Sequence, residues 1–399
     1  MQTDYCIIGG GIVGLTIARE LAVRFPEREI LILEKESHLG EHASGRNSGV
    51  LHAGFYYAPD SLKARLTARG NQLLRRFCAE NGVPVLSCGK VVVASAVTDL
   101  PRLDALMQRG LANGVELEMV DQAGLRTIEP LARTVDRAIW SPTTGVSDPQ
   151  AVTAALQSDL LARKVAIRTN TQVRSRRGST LVTVAGVVQA GHVVNTAGLY
   201  ADTVAKWYGF CDDYVVMPFK GLYWYGLPSA PRLSRHVYPV PDPRNPFLGV
   251  HFTVTASGGV KVGPTAIPVL WREAYRGLTR FKLDEMGQVL TSFPKFLRSD
   301  EQDVAQLMRT EFPKYSRRHL VKQAQRLVPT ARPADFSVRG RPGIRAQLMQ
   351  KSTGRLEMDF VVRGDAVSTH VLNAVSPAWT GSLAFAEFVV DTMVAHQAA

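Results

Sequence analysis

The stretch Tyr5-Cys6-Ile7-Ile8-Gly9-Gly10-Gly11-Ile12-Val13-Gly14 decides the fold of this 399-residue chain. Its first four residues form a short apolar, partly β-branched run of the kind that makes a strand buried on both faces. The run passes without a break into G-x-G-x-x-G. Gly9 serves the tight turn, Gly11 lets a pyrophosphate approach the backbone, and Gly14 lets the next helix pack close to the strand. That helix is predicted from Ile12 to Arg24, with Val13, Ile17 and Leu21 on one face, Arg19, Glu20 and Arg24 mostly turned away, and Pro26 as its stop. Its first amides, beginning at Ile12, are free to hold phosphate. A second apolar run, Ile30-Leu31-Ile32-Leu33, reads as the neighbouring strand and ends in Glu34, twenty residues beyond Gly14. A carboxylate at that tip accepts both ribose hydroxyls of an adenosine and repels a 2′-phosphate. The expectation is a site for a dinucleotide with an unphosphorylated adenosine end.

Composition bounds the rest. A 45% hydrophobic chain of this length buries a full core and has room for two domains. No apolar run approaches a membrane span, and the first strand begins almost at Met1, so the expectation is a cytoplasmic protein without a leader. Cys6, Cys78, Cys88 and Cys211 show neither C-x-x-C spacing nor a clustered histidine partner, which argues for buried free thiols and against a metal site. The formal charge of +12 permits anionic partners, but no nucleic-acid-binding module is visible.

Beyond Glu34 and Lys35, a polar loop from Glu41 to Gly54 carries His42, Ser44, Arg46, Asn47, Ser48 and His52. With few apolar anchors, it is expected to need a ligand or a neighbouring domain to order it. Helices are predicted over Leu100 to Ala112 and Ala151 to Ala162, and strands over Val91 to Ala94, Ala166 to Thr169 and Thr171 to Val173. The run from His192 to Asn195 reads as a strand leading into Ala197-Gly198, where small residues allow close backbone approach. From Met217 to about Gly263, aromatic and β-branched runs separated by turns predict antiparallel strands of a second domain, including Val237 to Pro241 and Phe247 to Thr253.

The segment Ser44-Gly45-Arg46-Asn47-Ser48-Gly49-Val50-Leu51-His52-Ala53-Gly54-Phe55-Tyr56-Tyr57 resembles the signature of the L-2-hydroxyglutarate dehydrogenase/oxidase family, within the D-amino-acid-oxidase-like flavoproteins. Further likenesses run through Cys88 to Ala94, Thr144 to Pro149, Pro239 to Pro243, and Asn373 to Ala384. The resemblance implies an α/β fold: a Rossmann-like FAD-binding domain of the glutathione-reductase kind, with a second α+β substrate domain on an antiparallel sheet. The FAD-binding domain would comprise residues 1–87, 148–215 and 341–399, and the substrate domain 88–147 and 216–340. The dinucleotide would be FAD. Gly9, Gly11, Ile12, Gly14, Glu34, Lys35, Ser44, Asn47, Ser48, Val173, Ala197, Gly198 and Arg345 would hold it, together with Thr380, Gly381, Ser382 and Leu383 at the start of a final helix. That helix N-terminus would stabilise negative charge on the reduced ring. Leu222 and Thr265 depart from the family pattern, which usually shows an acid and an asparagine there.

Oxidising a 2-hydroxy acid requires a base, a cation for the carboxylate and a flavin held face-on. His251 and His52 are the candidate bases, with His251 preferred and His52 beside the flavin. Arg345 is the carboxylate clamp, because a guanidinium binds carboxylate bidentately, and Tyr57 and Lys63 would serve a distal carboxylate. The electron acceptor would be a quinone or oxygen. An oxidase of amino acids, amines or glycerol phosphate, and a non-catalytic FAD-bound subunit, remain alternative readings. Lys314, Arg317, Arg318, Lys322 and Arg326, interleaved with Phe312, Tyr315, Leu320 and Leu327, read either as a solvated helix face or as a peripheral membrane contact.

Overall fold

A computed structural model describes residues 1–242, 245, 247–299 and 304–398, so Pro243 of the stretch quoted above lies outside the described residues. The first strand, β1 (Gln2–Ile8), the helix α1 (Ile12–Arg24) and the second strand, β2 (Ile30–Leu33), stand where the glycine motif requires them. β1 lies in the middle of an eight-stranded sheet, parallel to β2 on one side and to Gly186–Asn195 on the other. Ala166–Arg168 extends the parallel set beyond β2, and Ser368–Asn373 extends it beyond Gly186–Asn195. The strand expected over Thr171 to Val173 instead begins at Val173 and runs to Arg177. Thr171 is held out of it by its amide, which donates to the Glu34 carbonyl at 2.8 Å.

α1 is buried on more than the expected face, because Leu15, Thr16 and Ala18 are covered along with Ile17 and Leu21. The C-terminal helix (Ala378–Ala398) and the helix Pro149–Ala162 both pack against it. The C-terminal helix in turn crosses the helix Leu62–Glu80 at two glycines. A Cβ on Gly70 would lie 2.5 Å from the Gly381 Cα and 2.8 Å from the Thr380 carbonyl. Backbone cannot give way as a flexible side chain can, so Gly70→Ala is expected to destabilise the protein by about 1–3 kcal/mol in chemical denaturation. An unchanged midpoint would show that the crossing adjusts.

A second eight-stranded sheet contains strands from two separated parts of the chain, Lys90–Val93, Glu118–Asp121 and Arg137–Ser141 from one and Trp224–Tyr225 through Val338–Arg339 from the other. Its pairs are antiparallel except one. His236–Pro239 runs parallel to Lys90–Val93, a pairing between distant segments that no local pattern carries. The neighbouring strand begins at His251, later than the Phe247 expected, because the Phe247 amide is taken by Asn245 Oδ1 in a turn. Alternation along Lys90–Val93 sends Val91 and Val93 into the core built with Leu320, Leu327 and Phe336, and Val92 into the core built with Phe55, Leu103 and Tyr238. A three-stranded sheet of Tyr214–Gly221, Gly343–Gln350 and Ile267–Pro268 places Phe219 opposite Arg345.

Burial takes part of the basic stretch out of the surface. Leu320 and Leu327 belong to the core, and Lys314 is buried in an ion pair with Glu311. Only Phe312 and Tyr315 of the four apolar residues are exposed. No helix of the described residues is long and apolar enough to cross a membrane. All four cysteines are buried free thiols, as expected.

Candidate active site

A cavity of about 1260 Å³ runs from the glycine loop at the end of β1 to the middle of the second sheet. It exceeds the range usual for a single small ligand and suits a dinucleotide with a substrate. Gly9, Gly11, Ile12, Glu34, Lys35, Ser44, Asn47, Ser48, Val173, Ala197 and Gly198 all line it. At Gly9 the backbone is left-handed, with φ +112°, and a Cβ there would meet the Thr196 carbonyl at 2.6 Å. Gly14 lies behind the wall, where a Cβ would meet the Gly9 carbonyl at 2.1 Å, so it serves packing and not contact. Ser44 Oγ accepts from the Ile12 amide at 2.8 Å, which puts a polar oxygen at the helix start where a phosphate oxygen would bind.

Glu34 is buried, and its carboxylate accepts from the Gly10 amide at 2.7 Å and the Glu36 amide at 2.8 Å. These bonds hold it at the strand tip with lone pairs left for ribose hydroxyls. Glu34→Arg, which also unties the glycine loop, is expected to weaken cofactor retention roughly tenfold to a hundredfold. Cofactor released on gel filtration would measure it, and retention equal to the parent's would remove Glu34 from the ribose site.

The polar loop is ordered from within and from the second sheet. Asn47 donates to the Ser44 carbonyl at 2.6 Å and accepts from the Gly49 amide at 2.7 Å, while Lys261 Nζ donates to the Ser48 carbonyl at 3.1 Å. Its second half is also better anchored than expected, since Val50, Leu51 and Ala53 are buried. Lys35 bridges Glu36 and Glu273, which Arg280 also joins, and His42 reaches Glu36 Oε1 at 2.9 Å. Burial works to raise the Glu273 carboxyl, but Lys35 and Arg280 overcome it and bring it down to about 2. The cluster of Glu36, His42 and Glu273 is thus an ion-pair network joining the segment around Glu273 to the adenosine end of the cavity.

The final helix begins at Ala378, two residues earlier than expected, and Ala378, Trp379 and Thr380 are its cavity-lining residues. Thr380 Oγ1 accepts from the His52 amide at 3.1 Å and donates to the Val50 carbonyl at 3.0 Å, fixing the helix start to the signature loop. Gly381, Ser382 and Leu383 lie off the cavity: Gly381 meets Gly70, and Leu383 packs in the core.

At the far end, His251, His52, Arg345, Tyr57 and Lys63 converge on the wall. His251 Nδ1 donates to the Gly249 carbonyl at 2.8 Å, which leaves the ring lone pair on Nε2. Its ring stacks on Tyr238 at 3.7 Å. Burial, reinforced by Lys90, Lys261 and Lys314 and opposed by the Gly249 carbonyl, brings the imidazole down to about 3, so it is neutral. His52 is neutral for the same main reason, burial, and its Nδ1 is buried without a partner. Arg345 makes no ion pair with any described residue, and its guanidinium lies 5.0 Å from the centre of the Phe247 ring. Burial holds it below the ordinary guanidinium value, while Tyr57 and Tyr223 oppose that shift. Lys63 Nζ donates to the Met358 carbonyl, and burial followed by the Arg345 charge brings it down to about 7 against the pull of Asp359. A desolvated pair of cations facing a cavity, one of them without a counter-ion, is a site for carboxylate.

Sequence reasoning missed the aromatic wall of Tyr223, Tyr238 and Phe247 at this end, and Lys90 and Lys261 close behind it, since only the fold brings these distant segments together. The two departures turn out to be neighbours. Thr265 Oγ1 accepts from the Leu222 amide at 3.0 Å and donates to the Lys220 carbonyl at 2.9 Å, and Thr265 lines the cavity while Leu222 lies behind it.

The chain matches the FAD dependent oxidoreductase family over residues 4–392. It is 38% identical to the mitochondrial L-2-hydroxyglutarate dehydrogenase of Nematostella vectensis, over 97% of this chain and 90% of that one. It is 36% identical to the L-2-hydroxyglutarate dehydrogenase of Indibacter alkaliphilus, over 98% of both. In fold it is similar to the FAD-bound L-alpha-glycerophosphate oxidase of Mycoplasma pneumoniae, with a TM-score of 0.79 at 22% identity over 99% of this chain and 95% of that structure. The left-handed Gly9, the Ser44-capped helix start and the size of the cavity fit FAD, and the chain belongs to the FAD-dependent oxidoreductases, within the family of the L-2-hydroxyglutarate dehydrogenases.

Proposed function

We propose that the chain oxidises L-2-hydroxyglutarate to 2-oxoglutarate, with segments 1–87, 148–215 and 341–399 holding FAD and segments 88–147 and 216–340 covering the substrate. The observation that carries this reading is the pair of cavity-facing cations, Arg345 without a counter-ion and Lys63 beside it, which matches a substrate with two carboxylates. Arg345 takes the carboxylate next to the reacting carbon in bidentate form, and Lys63 with Tyr57 takes the distal one. His251 Nε2 receives the hydroxyl proton, and the Gly249 carbonyl holds the ring in the tautomer that does so. Gly9, Gly11, Ile12, Glu34 and Ser44 would hold FAD, which when bound would supply the two-electron acceptor for the hydride of the same carbon, so that the 2-oxo acid remains, with a quinone or oxygen as the final electron acceptor. Tyr223, Tyr238 and Phe247 exclude water around the reacting groups.

Turnover with an artificial electron-accepting dye tests the reading across L- and D-2-hydroxyglutarate, lactate, glycerol 3-phosphate and amino acids. L-2-hydroxyglutarate is expected to have the highest kcat/KM, and preference for an amino acid or glycerol 3-phosphate would overturn the assignment. Because Lys63 must be a cation to meet the distal carboxylate and titrates at about 7, kcat/KM is expected to fall as pH rises through that value. The decline approaches roughly tenfold per unit. Lys63→Met should abolish that limb, and an identical alkaline limb in the variant would show that another group sets it.

A further inference from the structure

Lys90 occupies a place where the strand pattern calls for an apolar residue. It shares the face of Val92 in the strand Lys90–Val93, is fully buried, and its Nζ has no hydrogen-bond partner. Three aromatic rings surround that nitrogen instead, Phe55 at 4.8 Å and Tyr56 and Tyr238 each at 4.7 Å from their centres. Ring faces stabilise an ammonium where neither water nor a carboxylate reaches it. Lys90 is absent from the cavity wall, but two of its three rings, Tyr56 and Tyr238, are on that wall, and Tyr238 stacks on His251 with the planes 18° apart.

We propose that Lys90 is a positioning residue for the oxidation, a buried cation that fixes the Tyr238 ring under His251 and keeps the His251 imidazole in its proton-accepting form. This rests on His251 being the base. Like charge nearby disfavours protonation of the ring, and the tyrosine between them transmits position. The other groups facing His251 are the Gly249 carbonyl from its own approach, Tyr238 and the neutral His236 from one adjacent strand, Lys261 from the other, the neutral His52 from the signature loop, and Lys314 from the turn at Phe312–Tyr315. Lys261 and Lys314 are both engaged, with the Ser48 carbonyl and Glu311 respectively, which leaves Lys90 as the cation in this set held by aromatic faces alone. Burial brings Lys90 down to about 7, against the pull of Cys88, so a cation persists below neutral pH, where the imidazole most needs to resist protonation.

The test is the pH dependence of anaerobic FAD reduction at saturating L-2-hydroxyglutarate in holoenzyme, comparing the parent with Lys90→Met and Lys90→Arg. Methionine fills the cage without charge, and since an unpaired buried ammonium is costly, that variant should fold with a Tm no lower than the parent's. Its acid limb is expected to move to higher pH by about one unit, which slows reduction about tenfold on the limb and much less above it. Lys90→Arg, which retains a cation, should keep the limb closer to the parent's. Superposable profiles for Lys90→Met and the parent would overturn the proposal. If methionine is not tolerated, Lys90→Leu and Lys90→Gln give the same comparison. His251→Gln separates the two levels: if it leaves reduction unchanged, the base assignment and the proposal both fail, whereas if it slows reduction and Lys90→Met keeps the parent profile, only the proposal fails.

Discussion

His251→Gln is expected to slow reduction of bound FAD by L-2-hydroxyglutarate by roughly 10²–10⁴-fold while leaving FAD content unchanged, the range typical of losing a positioned general base. The site offers two neutral histidines, and geometry ranks them. In His251 the Nδ1 proton is committed to the Gly249 carbonyl and the ring is clamped on Tyr238, so Nε2 is presented in a defined direction. In His52 the backbone amide is tied to Thr380, but Nδ1 has no partner, so nothing sets its tautomer. His52→Ala should therefore cost less than His251→Gln in stopped-flow measurements. The reverse order would exchange their roles, and equal losses would point to a shared proton path.

Arg345→Met is expected to reduce kcat/KM for L-2-hydroxyglutarate by an amount corresponding to about 2–5 kcal/mol, roughly thirtyfold to several thousandfold, since the substrate carboxylate would be left desolvated without its partner. Arg345→Lys keeps the charge but loses the planar fork, so its effect should be smaller and appear mainly in KM. The absence of an ion pair between Arg345 and any described residue matters here. A guanidinium joining two parts of the fold would lose stability on substitution, whereas this one should lose substrate. A thermal melt run beside the kinetics distinguishes the two: a large fall in Tm with normal KM would make Arg345 a structural residue.

Much of the cofactor end was legible in the sequence because its determinants are local. The turn at Gly9, the helix start at Ile12 and the acid at the tip of β2 follow one another within a single β-α-β unit, so spacing alone places them. The substrate end is assembled from distant segments. His251, Tyr238 and Lys90 come from three strands whose order in the sheet includes a parallel pairing, and a period-two pattern says which face a residue takes but not which strand lies beside it. Lys90 was hidden for a further reason: a lone lysine beginning the run Val91-Val92-Val93 reads as the exposed end of a strand, yet the rings that bury it arrive from Phe55, Tyr56 and Tyr238. In the basic stretch, burial was the part that sequence hid. Leu320 and Leu327 sit among cations in sequence, but the helix Arg317–Ala324 and the turn after it send them into the core while Arg318, Lys322 and Arg326 stay exposed. Similarly, the resemblance placed Gly381 at the flavin, and the structure sets it against Gly70, off the cavity.

The most direct measurement is anaerobic titration of the purified holoenzyme with L-2-hydroxyglutarate, following the flavin absorbance and the 2-oxoglutarate formed. One glycine-loop site per chain and one substrate site facing it predict complete bleaching of the oxidised flavin band, with one 2-oxoglutarate per FAD and no requirement for a nicotinamide nucleotide. A flavin that stays oxidised with L-2-hydroxyglutarate but bleaches with an amino acid or glycerol 3-phosphate would contradict the account.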